Sequence, residues 1–102
     1  MPETVSTHLS EDDARNTALL IYVNGEIKPK AEAVVSVYDS GFMMGDGVWE
    51  GIRLYNGRWT FLDEHIDRLF EAAKAIDLDI GMSQNQLISA VLETQKANGM
   101  ST

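Results

Sequence analysis

The chain has 102 residues, a formal net charge of −8 and no cysteine, and 44% of its residues are hydrophobic. This length and composition are typical of one small globular domain. The acidic charge argues against nucleic acid or an anionic membrane as a partner, because phosphates repel an acidic surface. The lack of cysteine excludes disulfides and thiolate catalysis, and it fits a cytoplasmic protein.

No targeting, membrane or metal function is predicted. The first residues lack a basic segment followed by an apolar run, so we expect no signal peptide. No apolar stretch approaches the length of a membrane span. The chain has two histidines, His8 and His65, which lie far apart in the sequence, so we expect no metal site.

The N-terminal part is predicted to be a tail followed by a hairpin. Residues 1–17 are polar and acidic, and we expect a flexible tail there, with a helical turn starting at Ser10 as one option. An apolar run at 18–23 precedes Asn24-Gly25, a pair that favours a tight hairpin because both turn positions need positive φ. Pro29 should end the returning strand or confine it to an edge.

A single helical turn and a second hairpin are predicted next. Asp39 or Ser40 could cap a turn that runs through Met44 and ends at Gly45. The pattern then predicts a strand over 48–55, a second Asn-Gly turn and a return over 58–62.

Two amphipathic helices follow. The first is expected to run from Asp63, as its N-cap, to Ile76. The second should begin at Ser83, which forms a capping-box pattern with Gln86, and end at Gly99. Two hairpins and two helices predict an α+β domain over 18–102, with an antiparallel sheet built from two β-hairpins.

The predicted strand has two different faces. Side chains of a strand alternate between its sides, so Trp49, Gly51 and Arg53 should share one face. A glycine between bulky neighbours leaves room for a ligand, although packing and a surface charge are the commoner roles of such a tryptophan and arginine. Glu50 interrupts the apolar row on the other face, so its carboxylate must find a partner or raise its pKa. A hydrogen-bonded glutamate and a catalytic one both stay open.

The first helix carries an arginine away from its apolar stripe. Glu64 and Glu71 lie four residues before and three after Arg68, and periodicity alone predicts a solvated face with weak ion pairs. His65 lies one turn before Arg68, so the two could share a site. The Gly-Asp-Gly turn at 45–47 lacks the length and the lysine of a phosphate-binding loop, and we interpret it as a turn that sets up the strand.

The order of these segments resembles a known family. Gly-Asp-Gly-Val-Trp-Glu-Gly-Ile-Arg at 45–53, followed by His-Ile-Asp-Arg-Leu at 65–69, is similar to the N-terminal small domain of class IV (fold-type IV) pyridoxal-phosphate-dependent aminotransferases, which include the branched-chain and D-amino-acid aminotransferases. The resemblance begins near Leu20. It implies an enzyme that moves an amino group between an amino acid, with the branched-chain type favoured, and a 2-oxo acid, with pyridoxal 5′-phosphate as cofactor.

The resemblance also implies site residues. Arg68 would bind the cofactor phosphate, and Trp49, Gly51, Arg53 and Met44 would line the substrate pocket. In the family the Schiff-base lysine lies in a later, C-terminal catalytic domain, so the 102-residue chain is expected to be an inactive N-terminal fragment with no catalytic residue of its own. None of the lysines of this chain matches the position of the Schiff-base lysine; they are Lys28, Lys30, Lys74 and Lys96.

Association and two rival functions complete the predictions. Strand edges left open favour a homodimer or a higher assembly. One alternative is an enzyme like the aminodeoxychorismate lyases. The other, from a different class, is a non-catalytic small α+β binding module, because no complete catalytic set is visible in the sequence.

Overall fold

A computed structural model of the chain describes residues 13–102. The helical turn considered at Ser10 and most of the predicted tail lie outside the described residues. The last residues of that tail belong to a 3₁₀ helix, Ala14–Ala18. Asp13 caps this helix, because its carboxylate accepts a hydrogen bond of 2.9 Å from the backbone N–H of Arg15.

The first hairpin and the short helix confirm the local predictions. Strands β1 (Leu20–Val23) and β2 (Glu26–Pro29) pair antiparallel, and Asn24 and Gly25 turn between them with φ of 50° and 87°. Helix α1 (Ser40–Met44) begins after Asp39, whose carboxylate accepts the Gly41 N–H at 2.9 Å. The helix ends at Gly45 in the left-handed conformation.

The second hairpin is shorter than predicted. Its strands, β3 (Leu54–Tyr55) and β4 (Arg58–Trp59), have two residues each. The predicted strand over 48–55 was therefore too long, and so was the predicted return over 58–62. A strand needs a hydrogen-bonded neighbour, and β4 stops just before the next helix begins. Beyond β3, a 2.8 Å bond from Thr60 N–H to the Arg53 carbonyl extends the pairing.

The α+β class is confirmed, but the sheet is divided. Within residues 13–102 the two hairpins form separate two-stranded antiparallel sheets and not the single sheet that the sequence suggested. The extended segment over 48–53 nevertheless keeps the alternation of a strand: Val48, Glu50 and Ile52 are half-buried, whereas residues 49, 51 and 53 are exposed.

Helices α2 (Leu62–Ala75) and α3 (Gln84–Asn98) close the fold. The predicted N-cap at Asp63 is wrong: the cap position is Phe61, which makes no side-chain cap bond. Asp63 lies in the first turn, where its negative charge interacts favourably with the helix dipole. The start of α3 is as predicted, with reciprocal bonds of 3.1 Å and 2.8 Å between Ser83 and Gln86, and Gly99 ends it.

A small helical core supports the hairpins. Ile66 and Ala73 of α2 and Ala90 of α3 are buried. The end of α3 also docks on β1, because the Asn98 amide hydrogen-bonds the N–H and the carbonyl of Leu20 at 2.8 Å and 2.9 Å. No helix in the described part of the chain is both long and apolar enough to cross a membrane.

Candidate functional site

A carboxylate and a guanidinium form the centre of the site. Glu50 Oε2 accepts a 3.0 Å hydrogen bond from Nε of Arg68, and Glu50 Oε1 accepts one of 2.6 Å from Nη2. The two side chains differ in exposure: that of Glu50 is 12% exposed and that of Arg68 is 66% exposed. A half-buried anion therefore holds one edge of a cation that otherwise faces solvent.

His65 is the second partner of this carboxylate. Its Nδ1 lies 2.6 Å from Glu50 Oε1. An ionised carboxylate only accepts hydrogen bonds, so Nδ1 must carry the proton in this contact. The 3.5 Å approach between Nη2 of Arg68 and the same Nδ1 then joins two donors and contributes no hydrogen bond. Both partners thus converge on Glu50.

The cluster lowers the pKa of Glu50. Hydrogen bonds from Arg68, then from His65, and the charge of Arg68 lower that pKa from 4.5 to about 2, against a smaller opposing effect of desolvation. The Arg68 pKa is raised by its bond to Glu50. The sequence required a partner for the Glu50 carboxylate, and the structure supplies two, Arg68 and His65. Glu50 is therefore a hydrogen-bonded, ionised glutamate.

Local structure explains why these three residues meet. His65 and Arg68 are three residues apart on α2 and lie one turn apart on the same side of the helix. Glu50 reaches them because the alternation of 48–53 directs it to the inner side of the segment. The weak pairing expected between Arg68 and its helix neighbours Glu64 and Glu71 does not occur: among the residues described, the ion-pair partner of Arg68 is Glu50.

The predicted pocket residues lie on the other face. Trp49 is 84% exposed and Met44 is 75% exposed, and Gly51 and Arg53 are also exposed. The guanidinium of Arg53 lies 5.2 Å from the ring centroid of Tyr55, a distance typical of a cation–π contact.

The structure does not join these residues to Arg68. Within residues 13–102, the hydrogen bonds and the ion pair of Arg68 go to Glu50. Trp49, Gly51 and Arg53 follow each other along one face of the extended segment, and Glu50 projects from the opposite face. The anion-binding candidate and the predicted pocket wall are thus on different sides of 48–53.

One residue of the site was not expected from the sequence. A surface depression of about 400 Å³ is lined by Phe61, Glu64, His65 and Arg68. Phe61 is 70% exposed and has φ of 53° and ψ of 41°, a left-handed conformation that is strained for a bulky side chain. Nothing in the local sequence signals this conformation, since neither glycine nor asparagine occupies the position.

The remaining donors of Arg68 fit an anion. A guanidinium has two edges that can each give two parallel hydrogen bonds, one formed by Nε and Nη2 and one by Nη1 and Nη2. Glu50 occupies the first edge. Among residues 13–102, no group accepts a hydrogen bond from Nη1, since the contacts of Arg68 involve Nε and Nη2. The second edge can therefore bind a phosphate or carboxylate, although Glu64, which lines the same depression, adds negative charge.

Comparison with known proteins identifies close relatives. The family model described as Amino-transferase class IV matches residues 47–102, which include the whole cluster. The chain is 45% identical over 85 residues to the branched-chain-amino-acid aminotransferase-like protein 1 of Arabidopsis thaliana, and this match covers 83% of the chain and 15% of the relative. It is 39% identical over 80 residues to the D-alanine aminotransferase of Staphylococcus haemolyticus, covering 78% of the chain and 28% of that relative.

A solved structure has the same fold. The branched-chain aminotransferase of the thermophilic archaeon Thermoproteus uzoniensis, crystallised with norvaline, matches with a TM-score of 0.75 and 37% identity over 81% of this chain. The chain spans 29% of that structure and 15% and 28% of the two relatives named above. It therefore corresponds to less than a third of each of these proteins.

Proposed function

The chain belongs to the amino-transferase class IV family, and we propose that it forms one part of an aminotransferase that uses pyridoxal 5′-phosphate. The observation that carries the proposal is the exposed guanidinium of Arg68, which has one edge free of Glu50 within a region that matches the family. When bound, the cofactor supplies an electron sink for the bonding electrons at the α-carbon of an amino acid.

In this proposal Arg68 anchors the cofactor phosphate. A guanidinium forms two parallel charge-assisted hydrogen bonds with phosphate oxygens, which orients the phosphate as well as binding it. Glu50 contributes indirectly, because it holds one edge of the guanidinium, and His65 in turn holds Glu50. The open side of the depression lined by Phe61 gives the phosphate its approach.

Trp49, Gly51, Arg53 and Met44 form the proposed wall of the substrate pocket. All four are exposed, so they enclose a substrate only when another surface covers them. We propose an amino acid of the branched-chain type and a 2-oxo acid as the substrates. The similarity to the branched-chain aminotransferase-like protein supports this choice, and the similarity to the D-alanine aminotransferase supplies the competing substrate for the test.

A graft tests the proposed function. In the Thermoproteus uzoniensis enzyme, the matched segment is replaced by the corresponding segment of this chain, and transfer to 2-oxoglutarate is assayed with L-leucine and with D-alanine. We expect transfer from L-leucine. The Arg68→Ala version should bind pyridoxal phosphate about 10- to 100-fold more weakly, because it loses charge-assisted hydrogen bonds to the phosphate.

The matched control is Arg58→Ala, which removes an exposed arginine of β4. It should leave cofactor affinity unchanged. Unaltered cofactor affinity in the Arg68→Ala graft would remove the assignment of the phosphate anchor. Preference for D-alanine would indicate a substrate like that of the D-alanine aminotransferase. Release of pyruvate from aminodeoxychorismate would indicate a lyase instead of an aminotransferase.

We further propose that the 102-residue chain alone does not transaminate, because none of its lysines matches the Schiff-base position. Lys28 pairs with Glu26 at 3.4 Å, and the other three lysines are exposed. Mixing the chain with pyridoxal phosphate, reducing with borohydride and measuring the intact mass should give no adduct on a specific lysine. A single-site adduct that requires Arg68 would contradict this. A homodimer and a cytoplasmic location stay predictions.

A further inference from the structure

We propose that Glu50 is a positioning residue that fixes Arg68 with its Nη1–Nη2 edge presented to an incoming phosphate. The inference rests on the proposed function, since it concerns the same anchor. It adds a role for a residue that touches neither the phosphate nor the substrate. The carboxylate takes one edge of the guanidinium so that the opposite edge is held in a single orientation.

The geometry of the pair carries the first step. Three contacts of 2.6–3.1 Å join the two carboxylate oxygens to Nε and Nη2 of Arg68. Such a two-point contact fixes the plane of the guanidinium as well as its position. An arginine that is 66% exposed would otherwise sample many rotamers, and ordering it on binding would cost conformational entropy.

The burial of Glu50 carries the second step. Its side chain is 12% exposed, and His65 holds Oε1 from the other side at 2.6 Å. Glu50 is therefore held in place more firmly than Arg68, the residue that it positions. If Glu50 were a flexible surface residue, both side chains would have to be ordered to form the ion pair, and the pair would contribute little free energy.

Glu50 also has an opposing effect, because its negative charge repels a phosphate on the far edge of Arg68. Positioning and repulsion are separable by the choice of variant. Glu50→Asp keeps the charge but shortens the side chain by one methylene, so it cannot reach both His65 and Arg68. Glu50→Gln keeps the length but replaces one acceptor oxygen with an N–H₂ donor, which breaks the two-point contact and removes the charge.

The test uses the whole chain and inorganic phosphate as the probe. Phosphate affinity is measured by NMR titration, and the Arg68 Nε–H resonance reports whether the guanidinium is held. We expect Glu50→Asp to weaken phosphate binding about 2- to 10-fold, the range that corresponds to ordering one long side chain. The Nε–H of Arg68 should also exchange faster with water in this variant.

Glu71→Asp is the matched control, because Glu71 is an exposed carboxylate of α2 three residues after Arg68 and has no ion pair with Arg68 among the described residues. Its affinity for phosphate should equal that of the unchanged chain. If Glu50→Asp fails to fold, Glu50→Gln replaces it, because glutamine has the same shape as glutamate. In that variant the test is the exchange rate of the Arg68 Nε–H with water, which we expect to rise.

The two proposals fail in different ways. If Arg68→Ala leaves the phosphate titration unchanged, the anchor itself is wrong and the proposed function loses its support. If Arg68→Ala abolishes the response while Glu50→Asp binds phosphate as well as the unchanged chain, the anchor stands and the positioning role is overturned. A protected Arg68 Nε–H in Glu50→Gln would overturn it as well.

Discussion

The side chain of Glu50 is only 12% exposed, yet its lowered pKa keeps it ionised near neutral pH. Its two partners make this possible, since Arg68 and His65 replace the water that burial removes. Removing one partner would leave the carboxylate half-buried and less compensated. The cluster is thus a stability element as well as a candidate anion site.

The lowered pKa of Glu50 predicts acid sensitivity. The folded-state pKa is about 2, below the ordinary value of 4.5, so the folded state binds fewer protons than the unfolded state between these values. The stabilising contribution is complete above about pH 4.5 and is lost as pH falls toward 2. We expect Glu50→Gln to be less stable than the unchanged chain at pH 6, with a difference that narrows at pH 3 in urea unfolding.

Glu64→Gln is the control for this titration, because it removes an exposed carboxylate of the same helix. Its stability difference from the unchanged chain should be small and similar at pH 6 and pH 3. A gap between Glu50→Gln and the unchanged chain that stays constant with pH would mean that Glu50 is not the ionised partner described above.

Single residues were predictable where their chemistry was local or restrictive. A carboxylate in an apolar row must be compensated, so the need for a partner of Glu50 was visible in the sequence. The identity of that partner depended on how the segment over 48–53 lies against α2, and sequence left His65 and Arg68 as a possible pair only. The left-handed conformation of Phe61 was not predictable, because it is one that a bulky side chain disfavours.

At the scale of elements, turns and caps were predicted better than strand lengths. Asn24-Gly25, Asp39 with Gly45, and the Ser83 capping box depend on neighbours within a few residues. Strand length depends on a partner far along the chain. Alternation correctly separated the faces of 48–53, but it could not tell that strand β3 itself begins only at Leu54.

The side chain of Asn98 links helix α3 to strand β1. The Asn98 amide makes hydrogen bonds with both backbone groups of Leu20, much as a neighbouring strand would. Its Nδ2 also bonds the Thr94 carbonyl one turn earlier at 2.9 Å, which orients the amide. This contact joins residues 78 positions apart, so it connects the two ends of the described part of the chain.

Asn98→Ala should therefore destabilise the fold by about 1–3 kcal/mol, because it leaves two half-buried backbone groups of Leu20 without their partner. Urea unfolding measures the loss, and the Leu20 amide should exchange faster with solvent. Lys96→Ala, an exposed change two residues earlier on α3, should stay within about 0.5 kcal/mol of the unchanged chain. Equal stability of the two variants would show that the docking depends on other contacts.

The whole molecule leaves much apolar surface open. Its radius of gyration is 15.2 Å, whereas a compact chain of this length is expected near about 13 Å. Large apolar side chains concentrate on an exposed apolar segment, residues 34–49. Its most exposed members are at least 60% exposed: Val34, Val35, Val37, Tyr38, Phe42, Met43, Met44 and Trp49. A surface of this kind usually contacts another surface.

Self-association through this segment is opposed by the net charge of −8. Like charges repel over a distance of about 30 Å at 0.01 M salt but only about 8 Å at 0.15 M. We therefore expect the sedimentation coefficient of the chain to rise with protein concentration, and to rise more steeply at about 0.15 M than at about 0.01 M salt. The double variant Val37→Ser and Phe42→Ser should suppress this rise, because it removes two exposed apolar side chains from the segment.

Leu92→Ser is the matched control, since Leu92 is an exposed apolar residue of α3 outside the segment. It should associate like the unchanged chain. Equal suppression by both changes would indicate non-specific apolar contact, and a monomer at every salt and protein concentration would contradict the predicted association. Salt-dependent association lost only in the double variant would identify residues 34–49 as the surface that meets a second copy, because screening alone strengthens contact without choosing a site.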